Sequence, residues 1–274
     1  MSTINTNVMS LNAQRNLNAS ASSLGTSMQR LSSGLRVNSA KDDAAGLAIA
    51  ERMSAQVKGM NVAVRNANDA ISLAQTAEGA LGKVGDSLQR MRELATQSAN
   101  ATNSTSDQAN LDAEYQELAL EVTRVLTGTK FNGTDLLSTA ASLQFQVGSN
   151  NVSTDKISVN TGNLTSGAGV TAVVAANINT ATAALDAMDD LDDAIDEITT
   201  ARAGFGAAQN RFESVISNLQ VAAENTAASR GRIMDADFAQ ETANLSRGQI
   251  LQQAGTAMVA QANQLPQGVL SLLR

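Results

Sequence analysis

Large apolar residues recur at alternating steps of three and four at both ends of the chain, and no proline interrupts them before Pro266. Near the start the series is Leu17, Ala21, Leu24, Met28, Leu31 and Leu35. Near the finish, Leu251 leads into Met258, Ala262, Leu265, Val269 and Leu272. On a lone helix such a stripe would lie in water, so it requires a partner helix. Chain ends are commonly polar and frayed. Here they carry regular apolar seams, which points to a protein whose job is to be assembled.

The same spacing organises most of what lies between. A first helix reads from 5 to 33 and stops in LSSGLRVNSAKDD, where Ser32, Ser33, Gly34, Asn38 and Ser39 are turn and cap residues. Asp42 and Asp43 then open a second helix, where acids meet the positive end of its dipole. Leu47, Ala50, Met53, Val57, Met60 and their successors continue at three or four through Met91, predicting a rod of 43–98. At about 1.5 Å per residue it would span roughly 80 Å. Leu111, Tyr115, Leu118, Val122 and Val125 mark a third helix.

After Thr127 the period changes. Leu143, Phe145 and Val147 alternate, GSNN (148–151) reads as a turn, and Ile157 and Val159 alternate after it. That is the pattern of a β-hairpin. TGNLTSGAGVTAVVAAN (161–177) is small and polar and reads as loop, after which a helical period returns at Ile178 and lasts through Leu219. It breaks at SRGRIMDAD (229–237), before a last helix that Pro266 should kink. The breaks are symmetric: 41 residues precede Asp42 and 40 run from Asp235 onward. Long helices joined by short turns are antiparallel neighbours. The expected fold is therefore mainly α, a nested antiparallel helical hairpin or coiled-coil rod with a small β-hairpin near mid-chain. Its expected parts are 1–41 with 235–274, 42–137 with 178–234, and 138–177.

Composition narrows the function. There is no His and no Cys, which removes imidazole acid–base chemistry, thiol nucleophiles and disulfides. Aromatics are 2% against 43% hydrophobic residues overall, which suits thin helical seams. A net charge of −7 argues against nucleic-acid binding. No run approaches the ~20 apolar residues of a membrane span, and MSTINTNVMS lacks the regions of a cleaved signal peptide. The acidic stretch 186–197 lacks the glycine turn and ligand spacing of an EF-hand and reads as a solvated helix face. No catalytic residue, metal ligand or cofactor is expected. The basic N-terminal helix could lie on a membrane surface. Pairing with the uncharged stretch 248–273 is the better reading, because the apolar stripe is narrow.

Particular blocks carry a resemblance. INTNVMSLNAQRNLNAS (4–20), MQRLSSGLRVNSAKDDAAGLAIAERM (28–53) and QQAGTAMVAQANQLPQGVLSLLR (252–274) closely resemble bacterial flagellin. So do QRMRELATQSAN (89–100), FNGTDLL (131–137) and ENTAASRGRIMDADFAQETANL (224–245). The resemblance is to a short form that lacks large outer domains. It implies a structural subunit of the flagellar filament, polymerising through Leu17, Leu24, Met28, Leu31, Leu35, Leu251, Met258, Leu265, Val269 and Leu272. It implies export through the flagellar secretion apparatus with a chaperone, an extracellular location, and filament-cap and hook-junction proteins as partners. It also implies that a host Toll-like receptor would contact Gln89, Arg90, Glu93, Leu94 and Glu114. In the expected exposed stretch, Ser149, Ser153, Thr154, Ser158, Thr161, Thr165, Ser166 and Thr171 are the candidate O-glycosylation acceptors. A hook–filament junction protein shares terminal helices of this type, but QRLSSGLRVNSAKDDAAG fits a filament subunit better.

Overall fold

The computed structural model describes the backbone of residues 6–271 and the side chains of residues 6–264. Six helices are present among them: α1 (Val8–Ser33), α2 (Ala44–Ser98), α3 (Thr105–Gly128), α4 (Ala168–Ala175), α5 (Ala181–Met234) and α6 (Phe238–Ser271). Four short strands, β1 (Lys130–Phe131), β2 (Thr134–Asp135), β3 (Ala141–Gln146) and β4 (Lys156–Thr161), lie between α3 and α4. The chain forms two compact units, one of residues up to Ala55 with those from Asn225 onward, the other of 56–224.

In the terminal unit α1 packs along α6. Asn7 caps α1, its side chain accepting from the Ser10 N–H, while its amide donates to the Ala262 carbonyl of α6 at 2.7 Å. Gly34 ends the helix at φ 70°, the left-handed conformation that glycine adopts without a Cβ penalty. The two helices are antiparallel: Leu17 lies against Gly255, Leu24 against Gly248, and Arg30 against Glu241. The linkers that follow are paired as well. The Arg36 N–H donates to the Met234 carbonyl at 2.6 Å and the Ala236 N–H to that of Gly34 at 2.9 Å. Val37, Ala50 and Met234 form a small core beneath them.

The larger unit is built around the expected long helix. Leu81, Val84, Leu88, Met91 and Leu94 of α2 are buried with Tyr115, Val122 and Leu126 of α3 and with Leu191, Ile198, Phe205 and Phe212 of α5. Each buried side chain of this size contributes about 1.5–3 kcal/mol by leaving water. Arg92 pairs with Asp192 at 2.6 Å and Arg202 with Glu78 at 3.8 Å, so α2 and α5 run antiparallel. A capping box starts α3: Ser104 and Asp107 each bond the other's backbone N–H. The expected hairpin forms between β3 and β4, with Leu143 opposite Val159 and Phe145 opposite Ile157. Phe145 meets Phe212 edge to face, with ring centroids 5.7 Å apart.

Residues 161–177 are not a loop. Leu164–Ser166 make one tight helical turn and α4 follows, with Leu164, Val170 and Val173 buried. Gly169 lets α4 come so near α5 that a Cβ there would stand 2.6 Å from the Ala194 nitrogen. The Tyr115 hydroxyl donates to the Val173 carbonyl at 3.1 Å. The stretch reads as loop because its helical period has only one turn pair in which to show. A second hairpin, β1–β2, turns at Asn132 and Gly133, both at positive φ, inside the FNGTDLL block.

Candidate functional site

The seam between α1 and α6 is a heptad seam of unequal halves. On α1, Ser10, Leu17, Leu24 and Leu31 stand seven apart; on α6, Glu241, Gly248, Gly255 and Ala262 do the same. The leucines fit against glycines: a Cβ at Gly255 would lie 3.0 Å from Leu17 and one at Gly248 3.1 Å from Leu24. The intervening positions facing α6 are small or polar, with Ser27 buried and Ser20 half-buried. Close approach of the two backbones is what the small residues make possible.

This corrects the expected seam in three ways. Ala21 and Met28, which continue the apolar steps on α1, face outward, and Met28 is 57% exposed. Leu251 and Met258 are likewise largely exposed, at 49% and 64%. Leu35 is beyond α1; it sits in the linker, half-buried, in an antiparallel bridge with Asp235. The seam leucines Leu17, Leu24 and Leu31 are half-buried. The side chains of Leu265 and Val269, and Leu272 altogether, lie outside the described residues.

What remains is a terminal pair with an apolar outer surface. Val8, Met9, Leu11 and Met28 on α1, and Phe238, Ile250, Leu251 and Met258 on α6, are each about half exposed or more. Among these well-separated residues only four charges, Arg15, Arg30, Glu241 and Arg247, occur on α1 and the described part of α6. Arg30 and Glu241 meet at 3.2 Å, the carboxylate buried and the guanidinium partly so. Burial opposes ionisation of Glu241, but Ser27, Arg30 and Asn244 together hold its carboxyl below the ordinary value.

On the larger unit, Arg90 is the centre of an exposed charged face. Its guanidinium donates to Glu93 at 2.9 Å and, through two nitrogens, to Glu114 of α3 at 3.0 and 2.9 Å. These bonds raise the Arg90 pKa further above its usual value, Glu93 contributing most. Gln89 is exposed beside it. Leu94 is not part of that surface: it is 1% exposed and belongs to the core. The four-residue step from Arg90 places it on the inward edge of the same helix, within the core of this unit.

Among the candidate acceptors, Ser149, Ser153, Thr154, Ser158, Ser166 and Thr171 are exposed and Thr165 is half-buried. Thr161 is a correction. It is 3% exposed, and its hydroxyl is held by Thr139 and Ala141 at the mouth of the hairpin. Alternation along β4 places it on the inward face with Ile157 and Val159.

Comparison with known proteins decides the family. The bacterial flagellin N-terminal helical region matches residues 4–142, and the bacterial flagellin C-terminal helical region matches 188–273. The chain belongs to the bacterial flagellin family. It is 47% identical to a flagellin of Halalkalibacterium halodurans over 272 residues, covering 99% of each chain. A flagellin of Xenorhabdus nematophila is 43% identical, with 100% of this chain and 99% of that one covered. The flagellar filament 33 kDa core protein of Treponema phagedenis is 41% identical, with 99% of each covered. Among solved structures, Bacillus cereus flagellin superposes with a TM-score of 0.51 at 34% identity, over 61% of this chain and 94% of that one. A putative flagellar hook-associated protein from Vibrio parahaemolyticus, 13% identical at a TM-score of 0.58, shares the fold, covering 71% of this chain and 100% of that one.

As a flagellin, the chain is a structural subunit of the bacterial flagellar filament, the polymer of swimming motility, and not an enzyme. The family forms an extracellular filament. No helix among the described residues is long and apolar enough to cross a membrane.

Proposed function

We propose that the subunit polymerises through the outer surface of its α1–α6 pair, with the Leu–Gly seam as the internal scaffold and the outward apolar residues as the joints. The observation that carries this reading is the division of labour on α1: Leu17, Leu24 and Leu31 turn to α6, while Val8, Met9, Leu11 and Met28 are each more than half exposed among the described residues. Apolar side chains exposed in such number mark a surface meant to be buried. In this reading residues 1–41 and 235–274 line the filament's channel, 42–137 with 178–234 form the surrounding layer, and 138–177 carries the solvent-facing part.

The remaining partners follow the same reading. The subunit leaves the cell through the flagellar export apparatus, with a chaperone covering the terminal apolar surface, and is placed under a filament cap beyond hook-junction proteins. Exposed Ser149, Ser153, Thr154, Ser158, Ser166 and Thr171 are the acceptors for O-glycans. A host Toll-like receptor reads Gln89, Arg90, Glu93 and Glu114, with Leu94 supporting the face from beneath. The test is seeded polymerisation of the purified chain beside a form lacking 252–274, scored by electron microscopy. Filaments from the full chain alone are the expected result. Filaments from both overturn the reading.

A further inference from the structure

The chain has nine methionines and no cysteine, so thioethers carry all of its sulfur chemistry. Burial divides them. Met60, Met91 and Met234 are buried, while Met53 and Met188 are half-buried, the Met188 sulfur accepting from the Thr96 hydroxyl at 3.8 Å. Met9, Met28 and Met258 are 66%, 57% and 64% exposed. Met1 lies outside the described residues. All three exposed methionines belong to α1 or α6, and the larger unit has none among its described residues. Met9 stands two residues after Asn7 and Met258 four before Ala262, so the Asn7–Ala262 hydrogen bond keeps these two near one level of the helix pair.

A methionine sulfur needs no deprotonation to act as a nucleophile, so contact with an oxidant decides how fast it reacts. With hydrogen peroxide the sulfur lone pair attacks one oxygen, an S–O bond forms as the O–O bond breaks, and water leaves. Sulfur gives up two electrons and the peroxide takes them. The product replaces a flexible, polarizable apolar side chain with a polar, chiral sulfoxide. That change matters little on a surface that stays wet. At an apolar contact it matters a good deal, because the S=O oxygen must then be buried without a donor or keep water in the joint.

We propose that Met9, Met28 and Met258 are sites of reversible sulfoxidation by peroxide, and that the modification takes a subunit out of assembly until a sulfoxide reductase reverses it. The inference rests on the reading that the outward faces of α1 and α6 are the polymerising surface, and it adds a chemical control to that surface. The free subunit is the vulnerable form, since the contacts made on assembly cover the same sulfurs. Methionine here differs from leucine in this one respect: the two are exchangeable by volume, but only the thioether answers to an oxidant.

The test treats monomer and filament with hydrogen peroxide and maps the sulfoxides by peptide mass spectrometry. In the monomer, Met9, Met28 and Met258 should oxidise at least about tenfold faster than Met60, Met91 and Met234, and in the filament that difference should vanish, as burial slows access. Oxidised subunits should fail to extend wild-type seeds, and the pair of reductases specific for the two sulfoxide epimers should restore growth. Met9→Leu/Met28→Leu/Met258→Leu should extend seeds equally well before and after peroxide. Undiminished growth of oxidised subunits, or equal loss of growth by the leucine variant on treatment, would overturn the inference. Should the leucine variant itself not assemble, rescue by the reductases decides: growth restored supports the inference, and growth not restored overturns it. Met28→Gln/Leu251→Gln/Met258→Gln separates the two readings. If it fails to assemble while oxidised wild type assembles, only the sulfoxidation falls; if both assemble, the polymerising surface falls with it.

Discussion

Gly248 and Gly255 owe their place to contact distance, not to backbone freedom, since both lie within a regular helix. Even a methyl group at either would press a seam leucine at about the limit of ordinary contact. Gly255→Val goes further and should wedge α1 from α6, at a cost of about 1–3 kcal/mol typical of overpacking. The expected readout is faster amide exchange in both helices and a higher critical concentration for assembly. Glu241 makes a second residue-level prediction. Its folded carboxyl sits below the ordinary 4.5, so its contribution is complete above that pH and is lost as pH falls through the lower folded value. Stability of the terminal pair should therefore drop on acidification, and Glu241→Gln should flatten that pH slope in thermal melts. An unchanged slope would show that other carboxylates carry it.

At the scale of elements, α4 acts as a wedge pinned by Tyr115. Burial, with Asp190 and Asp112 nearby, pushes the phenol's pKa up, so it stays a protonated donor to Val173. Tyr115→Phe leaves that carbonyl without its partner and should cost about 1–3 kcal/mol. For a chain of this size that means a fall of roughly 2–4 °C in melting temperature per kcal/mol, with the largest loss of exchange protection in α4. Long helices and the β3–β4 hairpin were legible from the sequence, because a period repeated over many turns, or an alternation of apolar residues on either side of a turn, is a strong signal. The hairpin's register was not, because the helical turn Ser153–Asp155 lengthens the connection. Helix α4 was not, because eight residues hold barely two turns. Nor could apolar spacing say which of two neighbouring stripes on α1 faces inward. Leu24 and Met28 are both large and apolar; the choice is made by glycines on α6, against which Leu17 and Leu24 fit. Leu94 and Thr161 were misplaced for a related reason: a motif names residues without their depth, and depth is set by the core packed around one and by the pleat of β4 under the other.

For the whole molecule, the account is that one chain divides its apolar surface between an internal core and joints kept for other copies. Residues 56–224 have a continuous core and should fold alone, so deletion of 252–274 should abolish filaments while leaving the melting transition of that unit in place. The central claim concerns the outward stripe, and the measurement that tests it most directly is polymerisation of Met28→Gln/Leu251→Gln/Met258→Gln. These three side chains are each about half exposed or more, so circular dichroism of the monomer should match the wild type. Each is worth about 1.5–3 kcal/mol on burial. The account predicts a folded monomer that sediments as monomer and forms no filaments on wild-type seeds, whereas normal filaments from this variant would contradict it.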